Sequence, residues 1–277
     1  MQIINALMGA LFDVLMAPFR PLGPWAGMLA ISLLTGLLML AIFKATSNQQ
    51  GIRRTKNKIK AHLLELRLYK DNMGQSLRSQ GSLLAANGKY MAFALKPMLV
   101  MIIPVLLILA QLSVWFEKAP LRIGERAIVK VKLAKGQGSA AAGAVEASLA
   151  TPAGVTVETP PLRIEEEGEV DWRVKAEASG RHLLKVSIGG KEISKLFVVD
   201  GPALSKVPAS RVRGFGDELL YPGEKSLAKD SPAEAIEILY QSQRLKFLGI
   251  RFHWLVAFFI LSIIFGFALK GVFKVEI

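Results

Sequence analysis

Residues that could carry catalysis or bind a metal are scattered along this sequence of 277 residues. His62, His182 and His253 lie on three segments of different character. The acidic stretch 165–171 lacks the ligand spacing of a calcium loop and is typical of an exposed turn. The sequence contains no cysteine, which excludes disulfides, thiolate metal ligands and cysteine nucleophiles. Since no nucleophile, base and orienting group occur together, we expect no enzyme activity, no metal and no other cofactor.

A different chemistry is possible where hydroxyl and amide side chains interrupt long apolar segments. Three segments lack Asp, Glu, Lys and Arg over about the length that a helix needs to cross the hydrocarbon core. We predict transmembrane helices over 25–43, 97–116 and 252–269. Polar side chains within them could line a groove in the bilayer, and these are Ser32, Thr35, Gln111, Ser113 and Ser262. The same side chains could instead pack the helices together or bond to their own helix.

The positive charge of the chain is concentrated between the first two apolar segments. Residues 44–96 hold eleven Lys and Arg residues against two acidic ones, in a chain whose net charge is +13. Short loops rich in Lys and Arg stay on the cytoplasmic side of a membrane. We therefore predict a multi-pass protein of the cytoplasmic (inner) membrane. Its N-terminus and residues 118–251 would lie outside, and its tail, 270–277, would lie in the cytoplasm.

The first 18 residues are largely apolar but differ from a signal peptide. They lack a basic start, and Asp13 interrupts the apolar run. Gln2, Asn5, Gly9 and Asp13 recur at helical spacing, and apolar residues fill most of the other positions. We predict an amphipathic helix over 1–18 that lies on the outer leaflet, in contact with membrane lipid.

Residues 44–96 are predicted to form a helical hairpin in the cytoplasm. Apolar residues at coiled-coil-like spacing favour a helix over 50–72, and they are Ile52, Ile59, Leu63 and Leu66. Asn72-Met73-Gly74 ends this helix, and residues 75–95 can form a helix that returns to the second span. The basic side chains expected to make contacts are Arg53, Arg54, Lys56, Lys58, Lys60 and Arg67. They either form a solvated face that sets the topology or contact phosphate of lipid or ribosomal RNA, and nothing indicates DNA.

From residue 118 the sequence pattern changes to alternation with period two. Val170 to Val174 and the pair 183–188 and 193–199, joined by Gly189-Gly190, predict strands and a hairpin. We predict an all-β, immunoglobulin-like sandwich over 118–202, with Trp172 in its core. The glycine-rich stretch 136–143 lacks the ending of a phosphate-binding loop, so we interpret it as a flexible strand connection.

Residues 203–251 are predicted to be a linker with one short helix. Ser231 followed by Pro232 has the pattern of a helix cap with proline at the first helical position. We expect that helix to continue through residues 235–240 toward the third span.

The order of these parts resembles the YidC/Oxa/Alb insertase superfamily, above all its minimal three-span members, such as the insertase subunit of the ER membrane protein complex. The residues that carry the resemblance are Trp25 to Lys44, Gln49-Gln50-Gly51-Ile52, Leu68-Tyr69-Lys70 with Asn72, and His253-Trp254. The resemblance covers residues 1–117 and 232–277 and implies a polar groove that helps hydrophilic client segments into the bilayer. The first span carries no arginine, unlike several bacterial members, and a β-sandwich after the second span has no counterpart in the minimal members.

Two hypotheses for function follow. The first is an insertase-like biogenesis factor whose basic hairpin meets nascent membrane proteins and the ribosome. The second is a non-catalytic, membrane-anchored scaffold or complex subunit, whose β-sandwich binds an extracytoplasmic protein partner. The basic hairpin favours the first hypothesis, because an anchor has no need of one, and the external β-sandwich favours the second.

Overall fold

The computed structural model describes residues 2–69, 72–134, 146–202, 204–247, 249–273 and 275. The glycine-rich stretch interpreted as a strand connection lies outside these residues, as do Lys70 and Asp71 of the predicted hairpin. The chain divides into two compact units. We call residues 1–28 and 107–257 the β unit, and residues 29–106 and 258–277 the helical unit.

Helices occupy most of the described residues up to Phe116, and two more lie at 215–220 and 254–269. The main helices are α1 (Gln2–Met16), α2 (Pro24–Thr46), α3 (Gln49–Leu68), α4 (Met73–Phe116), α5 (Phe215–Leu220) and α6 (Trp254–Leu269). The predicted returning helix and second span form one continuous helix, α4, despite Pro97 and Pro104 within it. Prolines are tolerated in such helices where neighbouring groups satisfy the freed backbone carbonyls.

Two of these helices, α2 and α4, are long and apolar enough to cross a membrane. The helix in the third predicted span begins at Trp254 rather than at residue 252, because residues 250–252 pair in a β-hairpin. Its 16 residues rise about 24 Å, less than the thickness of a typical hydrocarbon core. The apolar side chains of these helices include many that are exposed, such as Leu33, Leu38, Ile102, Ile103, Ile263 and Phe267. Water disfavours so much exposed apolar surface.

The β unit contains two antiparallel sheets. The larger sheet has the strand order β3-β5-β1-β9-β8, with β4 also paired to β5, and the smaller has the order β2-β6-β7. The strands are β1 (Arg126–Leu133), β2 (Ala147–Ala150), β3 (Val155–Val157), β4 (Leu162–Ile164), β5 (Glu169–Ala176), β6 (Gly180–Ile188), β7 (Lys191–Val199), β8 (Ser210–Val212) and β9 (Ala233–Ile238). A separate two-stranded sheet consists of β10 (Leu245–Phe247) and β11 (Ile250–Phe252).

One hydrophobic core joins the two sheets. Val129, Val131 and Trp172 from the larger sheet and Val186 and Phe197 from the smaller all belong to it. Alternate residues of β1 and β5 point inward, as the period of two in the sequence predicts. The prediction of Trp172 as a core residue is confirmed, because only 2% of its surface is exposed.

The predicted hairpin around Gly189-Gly190 is also confirmed. Strands β6 and β7 pair with Ile188 opposite Lys191, so only the two glycines form the turn. Their φ angles are +54° and +80°, the left-handed region that this turn requires. Residues 165–168 of the acidic stretch form the expected turn, in which Gly168 N donates to Glu165 O at 3.2 Å, whereas Glu169 and Asp171 lie in strand β5.

The predicted linker over 203–251 is wrong, since this segment supplies strands to the larger sheet. The helix predicted from Ser231-Pro232 is instead β9, which lies between β1 and β8. The Ser-Pro pattern favours a helix only through local preferences. Pairing with strands on both sides buries Ile236 and Ile238 in the core, and this burial outweighs the local preference. The β region therefore extends from residue 126 to residue 238, well beyond the predicted end at 202.

Within the helical unit, α3 and α4 form the predicted helical hairpin. Ile52 and Thr55 of α3 are buried, as are Ser79 and Ala86 of α4. Leu63 departs from the predicted apolar stripe, since 51% of its surface is exposed. The buried stripe of α3 is therefore narrower than its sequence pattern indicates.

Candidate functional site

Three of the five predicted groove residues lie in the helical unit, on α2 and α6. Ser32 is fully buried, Thr35 is 4% exposed and Ser262 is half-buried. On α2, Ser32, Thr35 and Gly36 are three and four residues apart and so share one face. A Cβ atom on Gly36 would lie 3.2 Å from Ser262 O and 3.3 Å from Gly266 N. Gly36 therefore allows α2 and α6 to approach each other closely, as small residues do in membrane helices.

The hydroxyl groups at this helix pair are unusual, because buried polar groups ordinarily have a hydrogen-bond partner. Ser32 Oγ, Thr35 Oγ1 and Ser262 Oγ are buried without a hydrogen bond to any described residue. A hydroxyl in a helix ordinarily donates to a carbonyl one turn earlier. Thr46 does so, donating to Ile42 O at 2.7 Å, and Thr55 donates to Gly51 O at 2.8 Å. We call Ser32, Thr35 and Ser262 the hydroxyl cluster.

The other two predicted groove residues, Gln111 and Ser113, belong to the β unit. Gln111 is 1% exposed, and its Oε1 has no partner among the described residues. Ser113 donates to Ala110 O at 2.8 Å, so its hydroxyl is satisfied by its own helix. It also lines a cavity of about 240 Å³ together with Tyr221 and Glu237. The groove role predicted for Ser113 therefore has weaker support than that of Gln111.

Sequence patterns did not reveal a basic residue that stacks on Trp115. The Arg20 guanidinium lies over the Trp115 ring, 5.3 Å from its centroid, and Trp115 is one helical turn from Gln111 on α4. Arg20 Nε and Trp115 Nε1 are both buried without a partner among the described residues. Arg20 precedes the first apolar segment by several residues, so a search for charge within that segment does not find it.

The basic face of α3 is as exposed as its sequence predicts. Arg53, Arg54, Lys58, Lys60 and Arg67 are exposed, and none of them forms an ion pair with another described residue. Lys56 is only half-exposed and has an interaction of its own. The exposed residues can accept a polyanion without first breaking a bond within the protein.

One polar contact links α3 to α4 beneath this basic face. Glu65 accepts from Ser79 Oγ at 3.1 Å, and His62 Nδ1 lies 3.0 Å from the same carboxylate oxygen. The hydrogen bonds from His62 and Ser79 hold the pKa of the Glu65 carboxyl below its usual value. The carboxylate therefore remains ionised at neutral pH, and its bond to Ser79 joins the two helices.

Helix α1 turns its polar stripe toward the β unit, to which it belongs. Asn5 Nδ2 donates to Glu218 O at 2.6 Å, and the carboxylate of Asp13 lies 3.3 Å from Lys206 Nζ. The apolar side chains of the opposite stripe are exposed at 67% for Leu7, 51% for Leu11 and 72% for Val14. Asn5 and Asp13 of the polar stripe thus contact the β unit, whereas Leu7, Leu11 and Val14 present apolar surface.

The histidines make separate local contacts. His182 Nε2 lies 2.9 Å from Ala178 O, and His253 Nδ1 accepts from Leu255 N at 3.3 Å. Across the described parts of the chain, no group of three or more His, Asp or Glu side chains is close enough to hold a metal ion. Comparison with known proteins finds no matching family model, no similar curated protein and no similar solved structure.

Proposed function

We propose that this protein is an insertase-like membrane protein biogenesis factor. In this proposal α2, α4 and α6 span the cytoplasmic membrane, the α3–α4 hairpin is cytoplasmic, and the β unit carries an immunoglobulin-like domain outside. The long apolar helices α2 and α4 and the exposed apolar surface of α6 support this placement. The proposal also rests on the resemblance to the YidC/Oxa/Alb superfamily in the order of the parts.

The observation that carries the proposal is the hydroxyl cluster. A buried hydroxyl without a partner is costly in hydrocarbon, and the cost disappears when a polar group reaches it. Ser32, Thr35 and Ser262 thus offer hydrogen bonds within an otherwise apolar helix pair. A hydrophilic segment of a client that enters the bilayer needs such bonds, because its own polar groups lose their water.

The α3–α4 hairpin supports the proposal from the cytoplasmic side. Helix α4 exposes an apolar stripe whose successive members are three, four or seven residues apart, and they include Leu77, Leu84, Met91, Leu95, Met98 and Ile102. The stripe continues without a break from the hairpin into the apolar part of the helix. Methionine is flexible and suits surfaces that accept many apolar sequences. In this proposal the apolar stripe of α4 contacts apolar segments of a nascent chain, and the basic face of α3 contacts phosphate of the ribosomal RNA.

The proposal is tested by removing the hydroxyl cluster. The triple variant Ser32→Ala, Thr35→Val and Ser262→Ala keeps the shape of the helix pair but removes its three donors. We expect client insertion to fall at least about tenfold, because one hydrogen bond contributes about 0.5–1.5 kcal/mol and 1.4 kcal/mol is a factor of ten. The matched control is Thr46→Val, which removes a hydroxyl that bonds to its own helix. Insertion is measured with short reporter proteins in vesicles that contain the purified protein.

Photocrosslinking separates this function from a scaffolding one. Probes at Thr35, Gln111 and Lys58 should crosslink short nascent membrane proteins only while ribosomes translate. Crosslinks confined to stable membrane neighbours, together with full insertion by the triple variant, would contradict the proposal. That result would favour a membrane-anchored scaffold whose β unit binds an extracytoplasmic partner.

A further inference from the structure

The β10–β11 hairpin ends in apolar residues flanked by basic ones. Its sequence from Lys246 to Arg251 is Lys-Phe-Leu-Gly-Ile-Arg, in which Leu248 lies outside the described residues. The strands pair Lys246 with Arg251 and Phe247 with Ile250. Gly249 has a φ of +84°, which a tight turn at the tip requires. Ile250 is 60% exposed, so the tip presents apolar surface to its surroundings.

The two basic residues of the hairpin lie in an unfavourable arrangement. Like charges directly opposite each other on paired strands repel. Lys246 and Arg251 are both exposed, and neither forms an ion pair with a described residue. Residues 239–275 contain no Asp or Glu, so the sequence offers no acidic neighbour on this segment. An external anion between the two side chains would remove the repulsion.

The hairpin lies beside the starts of two apolar helices. Trp25, the second residue of α2, donates from Nε1 to Lys246 O at 2.7 Å. Strand β11 ends at Phe252, two residues before Trp254 begins α6. Tryptophan at the end of an apolar helix is typical of the level of the lipid headgroups. The headgroup region contains phosphate, and the acyl chains beneath it accept apolar side chains.

We propose that the β10–β11 hairpin is a lipid-binding wedge. Ile250 enters the outer leaflet, and Lys246 and Arg251 bind the phosphate of an anionic phospholipid from both sides. The wedge would fix the depth at which α2 and α6 enter the bilayer. The inference rests on the membrane placement in the proposed function, but it does not depend on insertase activity.

The wedge is tested with fluorescent labels on the full-length chain in lipid vesicles. Because the chain has no cysteine, Ile250→Cys gives a single site for a fluorophore. Lipids that carry a nitroxide quench a fluorophore that they approach. Quenching by nitroxide-labelled phosphatidylglycerol is compared with quenching by nitroxide-labelled phosphatidylcholine at equal mole fraction. We expect quenching at residue 250, and an enrichment of the anionic lipid of about fivefold for each basic side chain. The variant Lys246→Gln/Arg251→Gln should abolish the preference but not the quenching.

Three controls make the result decisive. Lys132→Gln/Lys229→Gln removes two other exposed charges of the β unit and should leave the lipid preference unchanged. A label at Glu166 should not be quenched. This residue lies in the turn before β5, next to Leu133 at the C-terminal end of β1. A label at Leu38, in the middle of α2, should be quenched by nitroxides deep in the acyl chains.

Failure of the wedge and failure of the membrane placement give different results. Absence of quenching at Leu38 would overturn the membrane placement, and the wedge with it. Quenching at Leu38 without quenching at residue 250 would overturn only the wedge. Equal quenching at residue 250 by both lipids would overturn the binding of anionic phosphate.

Discussion

Lys195 is a fully buried lysine at the edge of the apolar core of the β unit. Its Nζ donates to Pro208 O at 2.7 Å and pairs with the Glu224 carboxylate. The other oxygen of Glu224 accepts from Leu196 N at 2.9 Å. Burial lowers the pKa of Lys195, whereas the charge and hydrogen bond of Glu224 oppose that shift. The pair ties β7 to the segment that follows α5.

Removing the Glu224 side chain should therefore lower the free energy of unfolding. Glu224→Ala leaves the Lys195 charge buried and unpaired, and we expect a loss of about 3–5 kcal/mol in the free energy of unfolding at pH 7. The control Glu192→Ala removes an exposed partner of Lys185 and should cost no more than about 1 kcal/mol. Both values come from denaturant titration of the purified protein, followed by near-ultraviolet circular dichroism. Equal losses would contradict a special role for the buried pair.

The free energy of unfolding of Glu224→Ala should depend on pH, and the sign of that dependence follows from the pKa of Lys195. Without Glu224 the pKa of Lys195 in the folded protein falls further below its value in the unfolded chain. Between these two pKa values the unfolded chain binds the proton and the folded protein does not. The stability of the variant should therefore recover as the pH rises through this window toward 10.5.

At the scale of elements, the contact between α2 and α6 depends on the absence of a side chain at Gly36. A Cβ there would meet backbone atoms of α6, which cannot move aside as a flexible side chain could. A Cβ on Gly266 would meet open space. We expect the free energy of unfolding of Gly36→Ala to be about 1–3 kcal/mol lower than that of Gly266→Ala. Alanine raises helix propensity at both positions, but it overpacks the helix contact only at residue 36. Unfolding in mixed detergent micelles, monitored by helicity, measures the difference. A Gly36→Ala variant as stable as Gly266→Ala would show that the helices separate at no cost.

At the scale of the whole molecule, the distribution of charge predicts which side of the membrane each part occupies. Single cysteines at Glu166 in the β unit and at Ser82 in the hairpin can be labelled with a maleimide that does not cross membranes. We expect labelling at residue 166 in intact cells, and at residue 82 only after permeabilisation, since the basic loop is retained in the cytoplasm. The native chain, which has no cysteine, gives the background. The reverse pattern would contradict the orientation, and labelling of both sites in intact cells would contradict opposite placement.

The sequence by itself determined the features that depend on local pattern and composition. The apolar helices α2 and α4, the α3–α4 hairpin and the β6–β7 hairpin follow from charge-free length, helical periodicity and a Gly-Gly turn. The core position of Trp172 follows from alternation along β5. The polar candidates Ser32 and Thr35 could be selected by type, because few polar residues occur in an apolar helix.

Only the tertiary structure decided the features that depend on partners distant in sequence. β9 is a strand because β1 and β8 pair with it, although its Ser-Pro start is a helix signal. The burial of Lys195, the stacking of Arg20 on Trp115 and the absence of a partner for Thr35 among the described residues have no local signature either. Local preferences amount to about 1 kcal/mol per residue or less, and the burial of a core strand outweighs them. A contact between residues far apart in the chain is fixed only when the whole fold forms.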